Sequence, residues 1–170
     1  MEGEDTGTAV PVVLAETLID IAAGNGDTCA IATGGQIVCW GRNSAGTLGF
    51  AASTTEEREP ARIDADTSAS QISASDAWRC FVDTGGSVRC FGVELALRMG
   101  QGTERQTFVD PVVVPLSGGP FAEVAVGLAF ACARSMDGSM PWCWGSNLDG
   151  QLGSGVPGDP AAPGQIPYCD

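Results

Sequence analysis

The chain has 170 residues, rich in Gly (24) and Pro (10), with 21 acidic residues against 8 arginines and no lysine, and a formal net charge of −13. Nucleic-acid binding needs many phosphate-neutralising cations, so this balance excludes DNA and RNA as partners, and no apolar run approaches the roughly 18 residues that would insert in a membrane. Histidine, the commonest general base and metal ligand, is absent, and no pair of carboxylates stands out by spacing, so no catalytic residue, cofactor or metal is assigned.

Residues 1–10 read as a disordered polar lead with no apolar segment of the kind a signal peptide needs. From there one pattern runs three times with a period of about 51 residues. Pro11, Pro60 and Pro111 each open a strand-like segment, which frames units 11–59, 60–110 and 111–159, with 160–170 as the start of a fourth unit or a C-terminal tail. In unit one, Pro11-Val-Val-Leu14 is the first expected strand and a second starts at Ile21-Ala-Ala-Gly24. A hairpin follows, from Thr28-Cys29-Ala-Ile31 through Thr33-Gly-Gly35 to Gln36-Ile-Val-Cys39-Trp40. Gly-rich turns between such runs are hairpin signals because glycine accepts the positive φ of tight turns. A long polar loop, 41–59, closes the unit. Unit two repeats this with Ile72, Cys80, Gly85-Gly86, Cys90 and Phe91-Gly92, and unit three with Val124, Cys132, Asp137-Gly138, Cys143 and Trp144-Gly145; their loops are 92–110 and 145–159. Four short strands in about 50 residues make one propeller-type blade, which cannot bury both faces alone. The fold class is therefore all-β, three propeller blades in an open arc or part of a ring, with Trp40, Phe91 and Trp144 as structural core between blades.

The signature Cys39-Trp40-Gly41-Arg-Asn43-Ser-Ala-Gly46-Thr-Leu48-Gly49, and its closer copy Cys143-Trp144-Gly145-Ser-Asn147-Leu-Asp-Gly150-Gln-Leu152-Gly153, resembles the repeat of the regulator-of-chromosome-condensation family. Copy two departs from it, with Glu94 in the place of Asn43 and Leu97 in the place of Gly46. The resemblance implies a β-propeller, usually of seven blades, that serves as a rigid platform for protein partners. Paired cysteines in every copy are similar to bacterial exported members. The family's His-Thr-Cys-Ala motif has Asp27 at its first position here, with Trp78 and Phe130 in the other copies, so no exchange-factor or photoreceptor activity carries over.

Nine residues separate Cys29 from Cys39 and Cys80 from Cys90, and ten separate Cys132 from Cys143. A shorter turn in the third copy compensates for the extra residue, so each pair faces across its hairpin. Two states fit: three disulfides, since directly opposite strand residues approach closely enough, or six buried thiols, since cysteine packs as a small hydrophobe. Disulfides would indicate an extracellular, cell-surface or periplasmic location; a cytoplasmic one is the alternative. Cys169 stands outside the pattern.

Function is sought where the copies differ, in the loop before each first cysteine. Asp27, Asp76, Trp78, Arg79 and Phe130 are the candidate partner-binding residues, because aromatic and Arg side chains dominate binding hot spots; packing between blades is the competing reading for the same side chains. Asp64-Ala-Asp66 and Asn147-Leu-Asp149 only faintly resemble calcium loops and read better as turns. The expected function is a non-catalytic protein-interaction platform. A structural module that completes a propeller by self-association is the alternative, and a carboxylate enzyme acting on sugars a distant one.

Overall fold

The structure, a computed structural model, describes residues 7–50, 55–63, 65–95, 98–101, 105–138, 141–155, 158 and 164–165. Asp64, Leu97, Cys169 and most of 160–170 lie outside the described residues, as does most of the polar lead. Twelve strands form three four-stranded antiparallel sheets. Blade one is β1 (Leu18–Ala23), β2 (Asp27–Ala32), β3 (Ile37–Arg42) and β4 (Glu56–Arg62), with a single 3-10 turn at Ser44–Gly46. Blade two is β5 (Ala69–Ala74), β6 (Trp78–Asp83), β7 (Val88–Leu95) and β8 (Arg105–Val113). Blade three is β9 (Phe121–Val126), β10 (Phe130–Ser135), β11 (Trp142–Gly145) and the short β12 (Gly164–Gln165).

The proline segments are corrected by this topology. Pro60 and Pro111 lie in β4 and β8, the last strand of one blade, not the first strand of the next, so the units framed by prolines straddle two sheets. The fourth strands also begin inside the expected long loops, at Glu56 and Arg105. Each proline sits beside a register shift, between the pairings Cys39↔Ala61 and Gly41↔Glu57 in blade one and between Cys90↔Val112 and Gly92↔Phe108 in blade two. A bulge on an edge strand is where a residue without an N–H is tolerated.

The expected hairpins form. Cys29 lies opposite Cys39, Cys80 opposite Cys90 and Cys132 opposite Cys143, and all three pairs are disulfides with Cα separations of 4.1, 4.1 and 4.0 Å. The glycine after each aromatic has a structural cause. Gly92 has φ +109°, and a Cβ there would come within 2.5 Å of the Ala77 carbonyl oxygen. The strand must pass that close because Val93 N–H donates to Ala77 O (2.8 Å).

The core lies between blades. At the first junction, Cys29, Ile31, Ile37, Cys39, Leu48 and Ile63 of blade one meet Ala69, Ile72, Phe81 and Phe91 of blade two. At the second, Trp78, Cys80, Val82, Val88, Cys90, Met99 and Val114 meet Phe121, Val124, Ala131, Ala133 and Trp144. Every residue of β6 is buried because this strand has a blade on each side. Phe91 and Trp144 are fully enclosed, as a core role requires, whereas Trp40 is only half-buried. The aromatic of each blade packs against the blade before it, and among the described residues no blade covers that side of blade one.

Side chains from the first strand of one blade tie down the first strand of the next. Asp20 Oδ2 accepts from Ile72 N–H (2.8 Å), Gln71 Oε1 from Val124 N–H (2.9 Å) and Ser73 Oγ from Val126 N–H (3.0 Å). The loop after each aromatic-Gly is tied internally. Asn43 Oδ1 accepts from Leu48 N–H and Asn147 Oδ1 from Leu152 N–H, both at 3.0 Å. Glu94 does the same work in the degenerate copy: its carboxylate accepts from Arg98 and Met99 N–H, both at 2.6 Å. Burial raises the Glu94 pKa above its ordinary value of 4.5, against the lowering effect of those two N–H groups and of the Arg98 guanidinium.

Candidate functional site: the loop end of the blades

The turn between the first two strands of each blade and the exit of its third strand lie at one end of the sheet. Backbone bonds of 2.8 Å hold them together: Arg42 N–H to Gly26 O, Val93 N–H to Ala77 O and Ser146 N–H to Ala129 O. The other end carries the hairpin turns and the crossings between blades, linked by Ala69 N–H to Gly35 O and Phe121 N–H to Gly86 O, again at 2.8 Å. Loops 24–26, 75–77 and 127–129 therefore form one surface, as expected for the candidate site.

The side chains singled out from sequence divide into two groups. Trp78 and Arg79 are fully buried and Asp27 nearly so, which corrects their assignment as partner contacts. Asp27 and Arg79 form an ion pair across the first junction, and Arg79 Nη1 also donates to Thr47 O (2.7 Å). The equivalent positions at the second junction are Trp78 and Ala131, which pack in the apolar cluster. One junction is thus closed by a buried charge pair and the other by an aromatic on a methyl group. Phe130, the third member of the Asp27/Trp78 series, is half-buried against Gly127.

Asp76 is exposed and accepts from Asn25 Nδ2 (2.6 Å), so equivalent loop positions of neighbouring blades join directly. Beside this bond lies a cleft of about 180 Å³ lined by Asn25, Asp27, Arg42, Ser44, Asp76 and Val93, among others. Asp27 lines this cleft as well, and its buried Oδ1 makes no hydrogen bond among the described residues. The third member of the Asn25/Asp76 series is Leu128, and it is exposed, as is Leu148 in the neighbouring loop of blade three. Sequence reasoning singled out the aromatic of Leu128-Ala129-Phe130 and passed over the leucine. Aligning the loops position by position would have shown Leu128 at the tip, beside Asn25 and Asp76.

Asp66, half of a faint calcium signal, pairs with Arg89 (3.1 Å). In the other, Asn147 Oδ1 is engaged by its own loop. Among the described residues, no group of three or more Cys, Asp or Glu is placed to hold a metal ion.

Residues 18–47 match the family model of the regulator of chromosome condensation (RCC1) repeat. The resemblance read from the repeat signature is borne out over this segment. The chain is similar over 151 residues to the human E3 ubiquitin-protein ligase HERC2 at 29% identity, spanning 86% of this chain and 3% of that protein. Among solved structures it superposes on human WBSCR16 with a TM-score of 0.77 at 18% identity, covering 91% of this chain and 39% of that one. On yeast RCC1 (Prp20), in the structure that holds it bound to Kap60, the TM-score is 0.72 at 18% identity, with 87% and 36% covered. The chain thus spans well under half the length of each of these relatives, and the likeness to the solved structures concerns the fold. Asn43, Glu94 and Asn147 hold the loop of each blade, Phe91 and Trp144 pack on the preceding blade, and Leu128, Leu148, Asp76 and Asn25 stand out from the scaffold.

Proposed function

We propose that this chain is a non-catalytic protein-binding platform that engages its partner through the loop end of the blades. The observation that carries this reading is the contrast at that end. The aromatic and Arg side chains are spent on holding blades together, while two leucines of blade three, Leu128 and Leu148, are left exposed at the same end of the blades as the polar Asn25–Asp76 pair. Exposed apolar side chains rimmed by polar groups, on loops held by a rigid scaffold, are the usual make-up of a protein-binding surface. The fold adds support, since yeast RCC1, of the same architecture, has been solved with Kap60 bound. Three disulfides favour an exported or cell-surface protein of an oxidising compartment.

The test compares proteins captured from the extracellular fraction of the source by the wild-type chain and by a Leu128→Glu, Leu148→Glu double variant. Both leucines are exposed, so the variant should keep its circular dichroism and unfolding midpoint. A partner held by the wild type and lost from the variant supports the loop-end surface; identical capture by both excludes it.

A further inference from the structure

Asn25-Gly26 is the single Asn-Gly step in the chain, and we infer that it is a site of spontaneous covalent modification, where Asn25 deamidates through a cyclic imide and so unties blades one and two at the loop end. The inference goes beyond the binding role proposed above and does not depend on it. Three observations converge on it.

The first is the contrast among the three asparagines of the chain. Asn43 and Asn147 are 0% and 1% exposed, and the Oδ1 of each accepts from a loop N–H, that of Leu48 and of Leu152. Neither side chain can turn back on its own peptide without giving up that bond inside the fold. Asn25 and Gly26 are both exposed, and Asn25 is held by an exposed bond from Nδ2 to Asp76 Oδ1. The residue that follows it has no Cβ to hinder approach to its nitrogen.

The second is the setting of the attacking nitrogen. Gly26 N–H donates to Gly24 O at 3.2 Å, a bond at the long end of the usual range, so little holds it. A Cβ on Gly26 would lie 3.4 Å from Arg42 Cζ, which places the guanidinium beside this residue, where its charge favours an anionic tetrahedral intermediate. Asn25 and Arg42 also line the cleft of about 180 Å³, which is large enough to admit water. The reaction balances with water alone. The Gly26 nitrogen bonds to Asn25 Cγ within one chain, an attack favoured by proximity, the Cγ–Nδ2 bond breaks, and ammonia leaves with the Gly26 proton. Water then opens the imide. Opening at Cγ gives an aspartate, and opening at the backbone carbonyl carbon gives an isoaspartate, with the chain rerouted through Cβ and Cγ.

The third is what the product meets. Asn25 Nδ2 stands 2.6 Å from Asp76 Oδ1, and an ionised carboxylate only accepts. After deamidation two carboxylates stand where a donor met an acceptor, and like charges so close disfavour the contact. An isoaspartate also lengthens a turn that has no slack. Gly24 N–H donates to Asp27 O (2.9 Å) and Arg42 N–H to Gly26 O (2.8 Å). A Cβ on Gly24 would fall 2.5 Å from Ser75 O, 2.6 Å from Asp27 Oδ1 and 3.2 Å from Arg79 Nη2, so the turn lies directly against blade two and the buried Asp27–Arg79 pair.

Two measurements on the oxidised full chain test this. After incubation at neutral pH, peptide mass spectrometry and methylation by an isoaspartyl methyltransferase should show loss of the amide at Asn25, with Asn43 and Asn147 intact. The rate should be no more than about tenfold below that of the same site in the reduced, unfolded chain, since the bonds given up are exposed or long. An Asn25 that stays an amide while the unfolded chain converts, or equal conversion at Asn43 or Asn147, would overturn the site. Hydrogen exchange reads the consequence. Asn25→Asp should raise exchange in loops 24–26 and 75–77, and adding Asp76→Asn, which again sets one donor against one acceptor, should return it to the wild-type level. Exchange indifferent to Asn25→Asp, or not restored by Asp76→Asn, would overturn the untying.

Discussion

Replacing Arg79 with Met should be among the most damaging single changes in the molecule. The guanidinium is completely buried between blades one and two, paired with the equally enclosed Asp27 and donating to Thr47 O. Removing one member of a buried ion pair leaves the other charge without compensation and costs about 3–5 kcal/mol. Part of that loss belongs to Thr47 O, since a buried acceptor stripped of its donor forfeits about 1–3 kcal/mol by itself. Asp27→Leu alone should cost a similar amount by orphaning the cation. The double variant restores charge balance, so its cost should fall well below the sum of the two single losses and be chiefly the roughly 1–3 kcal/mol of the orphaned Thr47 carbonyl. Trp78 on Ala131 at the next junction shows that this scaffold accepts an apolar closure at these positions. The assay is a double-mutant cycle by urea unfolding with disulfides intact, followed by circular dichroism and tryptophan fluorescence in parallel, because repeat arrays can lose blades separately. Strictly additive single effects, or an Arg79→Met cost below about 1 kcal/mol, would refute the claim that the first junction depends on this pair.

Two further outcomes follow from buried groups. Burial raises the Glu94 pKa, so the folded state holds this proton more tightly than the unfolded chain; the group's contribution is greatest below its ordinary value of 4.5 and is lost as pH rises through the raised value. Glu94→Gln should therefore flatten the decline in stability from mildly acidic to neutral pH, and an unchanged slope would show that Glu94 does not set it. Cys80→Ala with Cys90→Ala opens a loop whose closure is worth roughly 2.5–3 kcal/mol and empties a site at the second junction, so its urea midpoint should fall well below that of the wild type. A shift near zero would mean that the hairpin register alone holds the blade.

Much of the architecture was legible because it is local. The cystine pairs follow from the length of each hairpin, which sets the residue opposite every other, and the aromatic-Gly pair follows from a backbone approach within the same blade. The candidate site was legible only as a region. Trp78 and Phe130 differ from Asp27 in chemistry, which marked their loops, but whether such a side chain faces solvent depends on what the next blade places against it. Trp78 meets Ala131, Asp27 meets Arg79, and the exposed position is Leu128. Glu94 looked like decay of the motif, yet its two oxygens bind the same loop that an asparagine binds elsewhere.

The sequence by itself determined the period, the blade, the hairpins and the facing cysteines, all consequences of pairing between neighbours along the chain. Tertiary structure alone decided that Pro60 and Pro111 belong to the blade before, that Trp78 and Arg79 are interior, and that Ile21, Trp40 and Pro11–Leu14 lack the covering their counterparts have. The reason is that a blade buries its faces only against another blade, and no local pattern records which residue 51 positions away will supply the missing half of a contact.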